Sequence, residues 1–179
     1  MDQTNERTDI MINVTFYSLA DYNNGALRSK TFDLEDFPKY DDLATARAEW
    51  LEELTEELDD GELREEFMVA DYEGIPASLI GQWDINSDYG DWLEACDEHT
   101  ADIVDAATAL DIPYNKINET YAGTARSDVE FAEELADSIG LLDDVPDNLK
   151  GYFDMSAFAR DLMISDCNEH NGHYFHNNW

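Results

Sequence analysis

Ile12-Asn13-Val14-Thr15-Phe16-Tyr17-Ser18-Leu19 alternates apolar and polar side chains at period two, the pattern of a strand with one buried face. Tyr22-Asn23-Asn24-Gly25 follows with an Asn-Gly pair, for which positive φ costs little, so Ala26 to Phe32 can return as the second strand of a hairpin. Past Pro38 the period changes. Leu43, Trp50, Leu51, Leu54 and Leu58 recur at helical spacing until Gly61 supplies a stop. Phe67 to Ala70 reads as a third short strand, and Asp71-Tyr72-Glu73-Gly74-Ile75-Pro76 as a loop. From Asp88 to about Leu110, Trp92, Cys96, Ile103, Ala107 and Leu110 make one apolar stripe on one or two helices, and Pro113 and Gly123 mark breaks.

Ser127-Asp128-Val129-Glu130 is a capping box that opens a helix through Ile139, with Gly140 as its stop. Pro146 suits the first position of a short helix, and Asp154 can cap another through Leu162. Met163 to Cys167, the Asn171-Gly172 pair and His173 to Asn177 read as a terminal hairpin. Strands near both ends with helices between predict an α+β fold. The length suits one domain of ordinary size or two to three very small ones, and taken as three the chain divides at its breaks. Residues 1–81 form an N-terminal α+β domain whose first ten residues are a flexible leader, 82–113 a helical middle domain, and 114–179 a C-terminal α+β domain.

Charge narrows the function. The 179 residues carry 43 Asp+Glu against 10 Lys+Arg, a formal net charge of −33. Such a surface repels phosphate instead of releasing its counterions, which excludes ordinary nucleic-acid binding. With 43% hydrophobic and 12% aromatic residues, the chain is too apolar to be a disordered polyanion. The excess is not a tail: 16 acids meet 5 bases in residues 1–60, 15 meet 2 in 61–125, and 12 meet 3 in 126–179. Self-repulsion on this scale competes with a stability margin of about 5–15 kcal/mol and favours an elongated body with thin cores. No apolar run approaches the ~18–20 residues that span a bilayer, and the first residues lack a basic segment followed by an apolar one. Two cysteines, Cys96 and Cys167, make no disulfide framework, so a reducing cytoplasm is the expected compartment, and no membrane is expected as a partner.

The acids are patterned. On the helix after Pro38, Glu49, Glu52, Glu53, Glu56, Glu57 and Asp60 stand opposite the leucine stripe, one acidic group per turn of ~5.4 Å. Like charges at this spacing destabilise a helix, so they serve something other than helix stability. Glu62, Glu65, Glu66, Asp71, Glu73, Asp84, Asp88, Asp91, Glu94, Asp97, Glu98, Asp102 and Asp105 extend the candidate acidic surface. Asp84 to Gly90 has the residue types of a calcium loop, yet Tyr89 stands at position six and Ala95 at position twelve, where Gly and a bidentate Glu are required. Cys167, His170, His173 and His176 are zinc-ligand types at a spacing that fits no standard finger. A Gly-rich phosphate loop, G-x-S-x-G and HExxH are all missing from the sequence. The reading therefore assigns no catalytic residue, no cofactor and no metal.

Three blocks carry a resemblance. Tyr22-Asn23-Asn24-Gly25 with Thr31-Phe32-Asp33-Leu34, then Asp71-Tyr72-Glu73-Gly74-Ile75-Pro76, then the run from Leu141 to Leu162 stand in the order and spacing of the ArdA-type antirestriction proteins. In the last block Leu142, Val145, Pro146, Leu149, Tyr152, Asp154, Ala159, Arg160, Asp161 and Leu162 match the family's antirestriction motif and the run after it. The resemblance covers about residues 12–176 and is weak between 82 and 118. It implies a three-part elongated fold, a homodimer joined through the C-terminal part, and acids that imitate the phosphates of bent B-form DNA. The implied partner is the DNA-recognition and methyltransferase core of a type I restriction–modification enzyme. Leu141, Leu142, Asp143, Asp144, Val145, Pro146, Leu149, Tyr152, Phe153 and Asp154 form the expected motif and dimer contact. Two alternatives stay open on the charge alone: a mimic aimed at another DNA-binding protein or defence nuclease, and a salt-adapted acidic protein of unrelated function.

Overall fold

The computed structural model describes residues 11–177, so the proposed leader at 1–10 lies outside the described residues. The fold is α+β, with two antiparallel three-stranded sheets. The chain divides into two compact units, one ending at Leu93 and the other beginning at Glu94. The boundaries expected at 81/82 and 113/114 fall inside the first and second units respectively.

In the first unit β1 (Asn13–Ser18) is central, flanked by β2 (Ser29–Asp33) and β3 (Phe67–Glu73) in the order β2-β1-β3. Period two decides β1: Val14, Phe16 and Ser18 are buried while Asn13, Thr15 and Tyr17 are half-buried. The connection to β2 is more than an Asn-Gly turn. It contains a one-turn helix, α1 (Leu19–Asn23), whose first turn is capped when Asp21 N donates to Ser18 Oγ at 3.4 Å. Gly25 closes the reversal at φ 79°. Asp71, Tyr72 and Glu73, expected in a loop, are paired strand residues: Glu73 faces Asn13 across a register shift between Thr15 and Phe16.

Helix α2 (Tyr40–Leu58) turns Leu43, Arg47, Trp50 and Leu51 inward, and Trp50 meets Phe32 of the sheet edge-on at 6.3 Å. Asp59 takes the left-handed C-cap position at φ 42°, with Gly61 two residues on at φ 79°. One 3-10 turn (Ala77–Leu79) follows β3.

Two arginines sit in this core. Arg47 is 1% exposed, its guanidinium 4.3 Å from the centroid of Phe67 and 4.8 Å from that of Phe16, and it pairs with Asp84. Tyr40 donates its hydroxyl to the same carboxylate, and this hydrogen bond raises the pKa of the phenol. Arg64, 4% exposed, grips Asp21 through Nε at 2.8 Å and Nη2 at 3.0 Å, and Asp60 through Nη1 at 3.1 Å and Nη2 at 2.8 Å.

The hydrogen bonds from Arg64 push the Asp60 carboxyl down to about 2 and also lower that of Asp21. A depressed folded-state pKa contributes stability that is complete above the ordinary carboxylate pKa of about 4 and is lost as pH falls through the folded value. Asp60→Asn isolates this effect from the general relief of self-repulsion in acid. The stability difference between wild type and this variant, read from urea melts, is expected to be constant above about pH 5 and to close as pH approaches about 2.

The second unit begins within α3 (Tyr89–Glu98) and continues through α4 (Ala101–Ala109). The stripe expected over 88–110 is broken at His99 and Thr100, which lie between these two helices. A 3-10 turn (Tyr114–Lys116) and α5 (Ile117–Thr120) lead to β4 (Tyr121–Thr124), a strand where the sequence shows only a break at Gly123. Helix α6 (Asp128–Ser138) opens on the capping box, with Glu130 N donating to Ser127 Oγ at 3.2 Å. It closes in a Schellman motif: Leu141 N donates to Ala136 O at 2.9 Å, and Gly140 sits at φ 66°.

Pro146 occupies the cap position of α7 (Asp147–Lys150), one residue before the first helical position expected for it. Asp154 caps α8 (Met155–Ser165), Ala157 N donating to its Oδ1 at 3.0 Å. Met163 to Ser165 are helical, so the terminal hairpin is β5 (Cys167–His170) and β6 (His173–His176) around Asn171 and Gly172, both at positive φ. The sheet order is β4-β6-β5. Phe131 stacks on Tyr174 at 4.2 Å, while Ala132, Ala159 and Leu162 join α6 to α8.

Candidate functional site

Acidic residues dominate the described surface, and the way the cations are used decides its character. Arg47 and Arg64 are buried and spend their charge on carboxylates of their own unit. Others are tied to acids close by in sequence: Lys116 to Glu119 at 3.0 Å, Arg126 to Glu130, Lys150 to Asp147 at 3.1 Å and Arg160 to Asp161 at 3.9 Å. Arg28 reaches Asp21 at 3.4 Å. The Arg126 contact lowers the pKa of Glu130 to about 2. No ion pair among the described residues engages Glu49, Glu52, Glu53, Glu56 or Glu57, all exposed on the outer face of α2. With a rise of 1.5 Å per residue, the 19-residue helix is about 28 Å long and displays them over about 12 Å of it.

Within the first unit Asp60, Glu62, Glu65, Glu66, Asp71, Glu73 and Asp88 are also exposed, Asp60 while holding Arg64. Asp84 departs from the expected surface role. It is half-buried, and its carboxylate accepts from Arg47, Tyr40 and the backbone N–H of Ile85. Asp91 is half-buried too. In the second unit Glu94, Asp97, Glu98, Asp102 and Asp105 are exposed, and Glu98 accepts from Asn118 Nδ2 at 2.7 Å.

Further exposed acids were missed in the sequence: Glu133, Glu134 and Asp137 on α6, and Asp166 and Glu169 beside the terminal hairpin. The signal for the three on α6 was the helical spacing behind the capping box, a second acidic face. The local ion pairs were legible in the same way, at three and four residues apart. Asp21 with Arg64, 43 residues apart, had no such signal.

The segment 139–154 is a succession of tight turns. Asp143 N donates to Gly140 O at 3.1 Å, Val145 N to Leu142 O at 3.1 Å and Leu149 N to Pro146 O at 2.7 Å. Gly140 is favoured there by its positive φ, while a Cβ would meet, at 2.6 Å, the movable carboxylate end of exposed Asp143. The turns leave Leu141, Leu149, Tyr152 and Phe153 exposed, Tyr152 at 85%, while Leu142 and Val145 are half-buried. Pro146 and the carboxylates of Asp143, Asp144 and Asp154 are exposed beside them.

At the terminal hairpin, Cys167 Sγ lies 3.5 Å from His176 Nδ1, whereas His173 Nδ1 pairs with the Tyr121 hydroxyl at 3.1 Å. Burial raises the pKa of the Cys167 thiol. Among the described residues no group of three His, Cys, Asp or Glu is arranged to hold a metal, and no helix is long and apolar enough to cross a membrane. A family model described as antirestriction protein (ArdA) matches residues 16–176, most of the chain. No curated protein matches it.

Proposed function

The chain belongs to the ArdA family of antirestriction proteins, and from that premise we propose that it disables type I restriction–modification enzymes by filling their DNA-binding groove with carboxylates. The observation that carries the reading is the outer face of α2, where five glutamates stand exposed without cation partners while Arg47 and Arg64 of the same unit are buried. A basic groove built for phosphates meets there a fixed row of anions, able to make charge-assisted contacts with its Arg and Lys. No base edge is presented, so enzymes of different sequence specificity are blocked alike. The inhibitor needs no catalytic group and no cofactor, and it works in the bacterial cytoplasm where its target cuts DNA. The second unit carries exposed acids of its own.

The test is displacement. Labelled duplex DNA held by a purified type I enzyme should be released by this protein, whose own affinity for the enzyme should rise as salt falls. An enzyme that keeps its DNA in a large excess of the protein refutes the reading.

The same reading makes the protein a homodimer joined through the turn-rich segment. Leu141, Leu149, Tyr152 and Phe153 are exposed apolar side chains on an otherwise acidic unit, and a second copy of the chain would cover them. Because Tyr152 is 85% exposed, the double variant Tyr152→Ala, Phe153→Ala is expected to keep its fold by circular dichroism and to sediment as a monomer. A double variant that sediments as a dimer removes the assignment.

A further inference from the structure

A cavity of about 320 Å³ opens in the first unit between β2 and the middle of α2. That is near the lower bound for ligand pockets, about 300–1,000 Å³, and suits one long side chain better than a cofactor. Its wall is aromatic: Phe32 lies edge-on to Trp50 at 6.3 Å and to Phe37 at 5.9 Å, and all three line the cavity. Its rim is anionic. Asp36, Glu49 and Glu53 are exposed there, and no described cation stands within ion-pair distance of them.

A separate observation points to the chemistry of the occupant. Lys30, rooted on β2 and lining the same cavity, holds its Nζ 5.4 Å from the centroid of the Phe32 ring. The wall thus already attracts a cation through the ring quadrupole, on an exposed and flexible stem that can swing aside.

We propose that this cavity receives an arginine side chain from the basic groove of the target enzyme, an inference that rests on the function proposed above. A guanidinium fits the combination better than an ammonium. Its flat face stacks on aromatic rings, its fork matches carboxylates bidentately, and it is less strongly hydrated. The aliphatic stem would lie along Phe37 and Trp50. Elsewhere the acidic face offers point charges to whatever cation is near. Here an aromatic wall and a carboxylate rim converge, which is the composition of an interface anchor.

Two measurements on the full chain decide it. Acetyl-arginine amide titrated into the protein is expected to shift the Trp50 indole resonance saturably, whereas the uncharged acetyl-citrulline amide leaves it in place. Asp36→Asn, Glu49→Gln should abolish the response. An equal response to both probes, or none to either, overturns the proposal.

In competition against duplex DNA on the enzyme, Asp36→Asn, Glu49→Gln should weaken displacement about tenfold more than Glu52→Gln, Glu56→Gln, which removes the same charge away from the cavity. Equal weakening overturns the proposal. Wild-type protein that displaces no DNA overturns the proposed function instead, and the arginine titration then still decides what the cavity binds.

Discussion

Arg64→Met is expected to cost the first unit about 3–5 kcal/mol, a large share of the ~5–15 kcal/mol that holds a domain of ordinary stability. The guanidinium makes fork contacts to Asp21 and Asp60 together and a fifth hydrogen bond to Glu62 O at 3.1 Å. Removing it strands Asp21, which is 4% exposed and retains the 3.4 Å contact to half-exposed Arg28 and the hydrogen bond with the Ser18 side chain. A buried carboxylate without its partner is the expensive outcome, much more than loss of the attraction itself. Arg64→Lys should recover little, because one ammonium cannot serve two forks. Adding Asp21→Asn to Arg64→Met should recover part of the loss by removing the stranded charge. Urea unfolding followed by tryptophan fluorescence measures all three. A loss under about 1 kcal/mol for Arg64→Met would show that this network does not hold the unit together.

The second large effect separates stability from function. Replacing Glu49, Glu52, Glu53, Glu56 and Glu57 with Gln relieves like-charge pairs four residues apart on α2, each costing about 0.2–0.5 kcal/mol. The variant should therefore melt no lower than wild type. Its competition with DNA for the restriction enzyme should nevertheless fall about 100-fold at low salt, as five charge contacts with a basic groove are lost. The gap should narrow as salt rises and screens the wild-type contacts. Unchanged competition at low salt would place the inhibitory surface elsewhere. Lower stability together with weaker competition would assign the five glutamates a structural part that their exposed positions do not show.

Where bonding is local, the sequence was sufficient. The period-two run of β1, the inward stripe of α2, the Ser127 capping box, Gly140 and the Asp154 cap all appear where their residues place them. Each depends on partners within a few positions, so adjacent residues specify the geometry. The same holds for the net charge and for the antirestriction blocks, which are properties of order and composition. Three features depended on distant partners. β3 runs on to Glu73 because Asn13 is there to pair with it; β4 exists because β6 returns alongside it; the run after Ser18 becomes a helical turn, with Asp21 turned inward onto Arg64.

Composition therefore determined that the protein is a folded polyanion, and spacing determined its caps and its acidic helix face. Tertiary structure alone decided which acids remain available. Asp84 is drawn inward by Arg47 and Asp21 by Arg64, across 37 and 43 residues, whereas the glutamates of α2 are left facing water. The physical reason is that a buried charge must find an opposite charge wherever the fold brings one. Which acid is consumed in that way is fixed by the packing of remote segments and leaves no mark on the residues next to it.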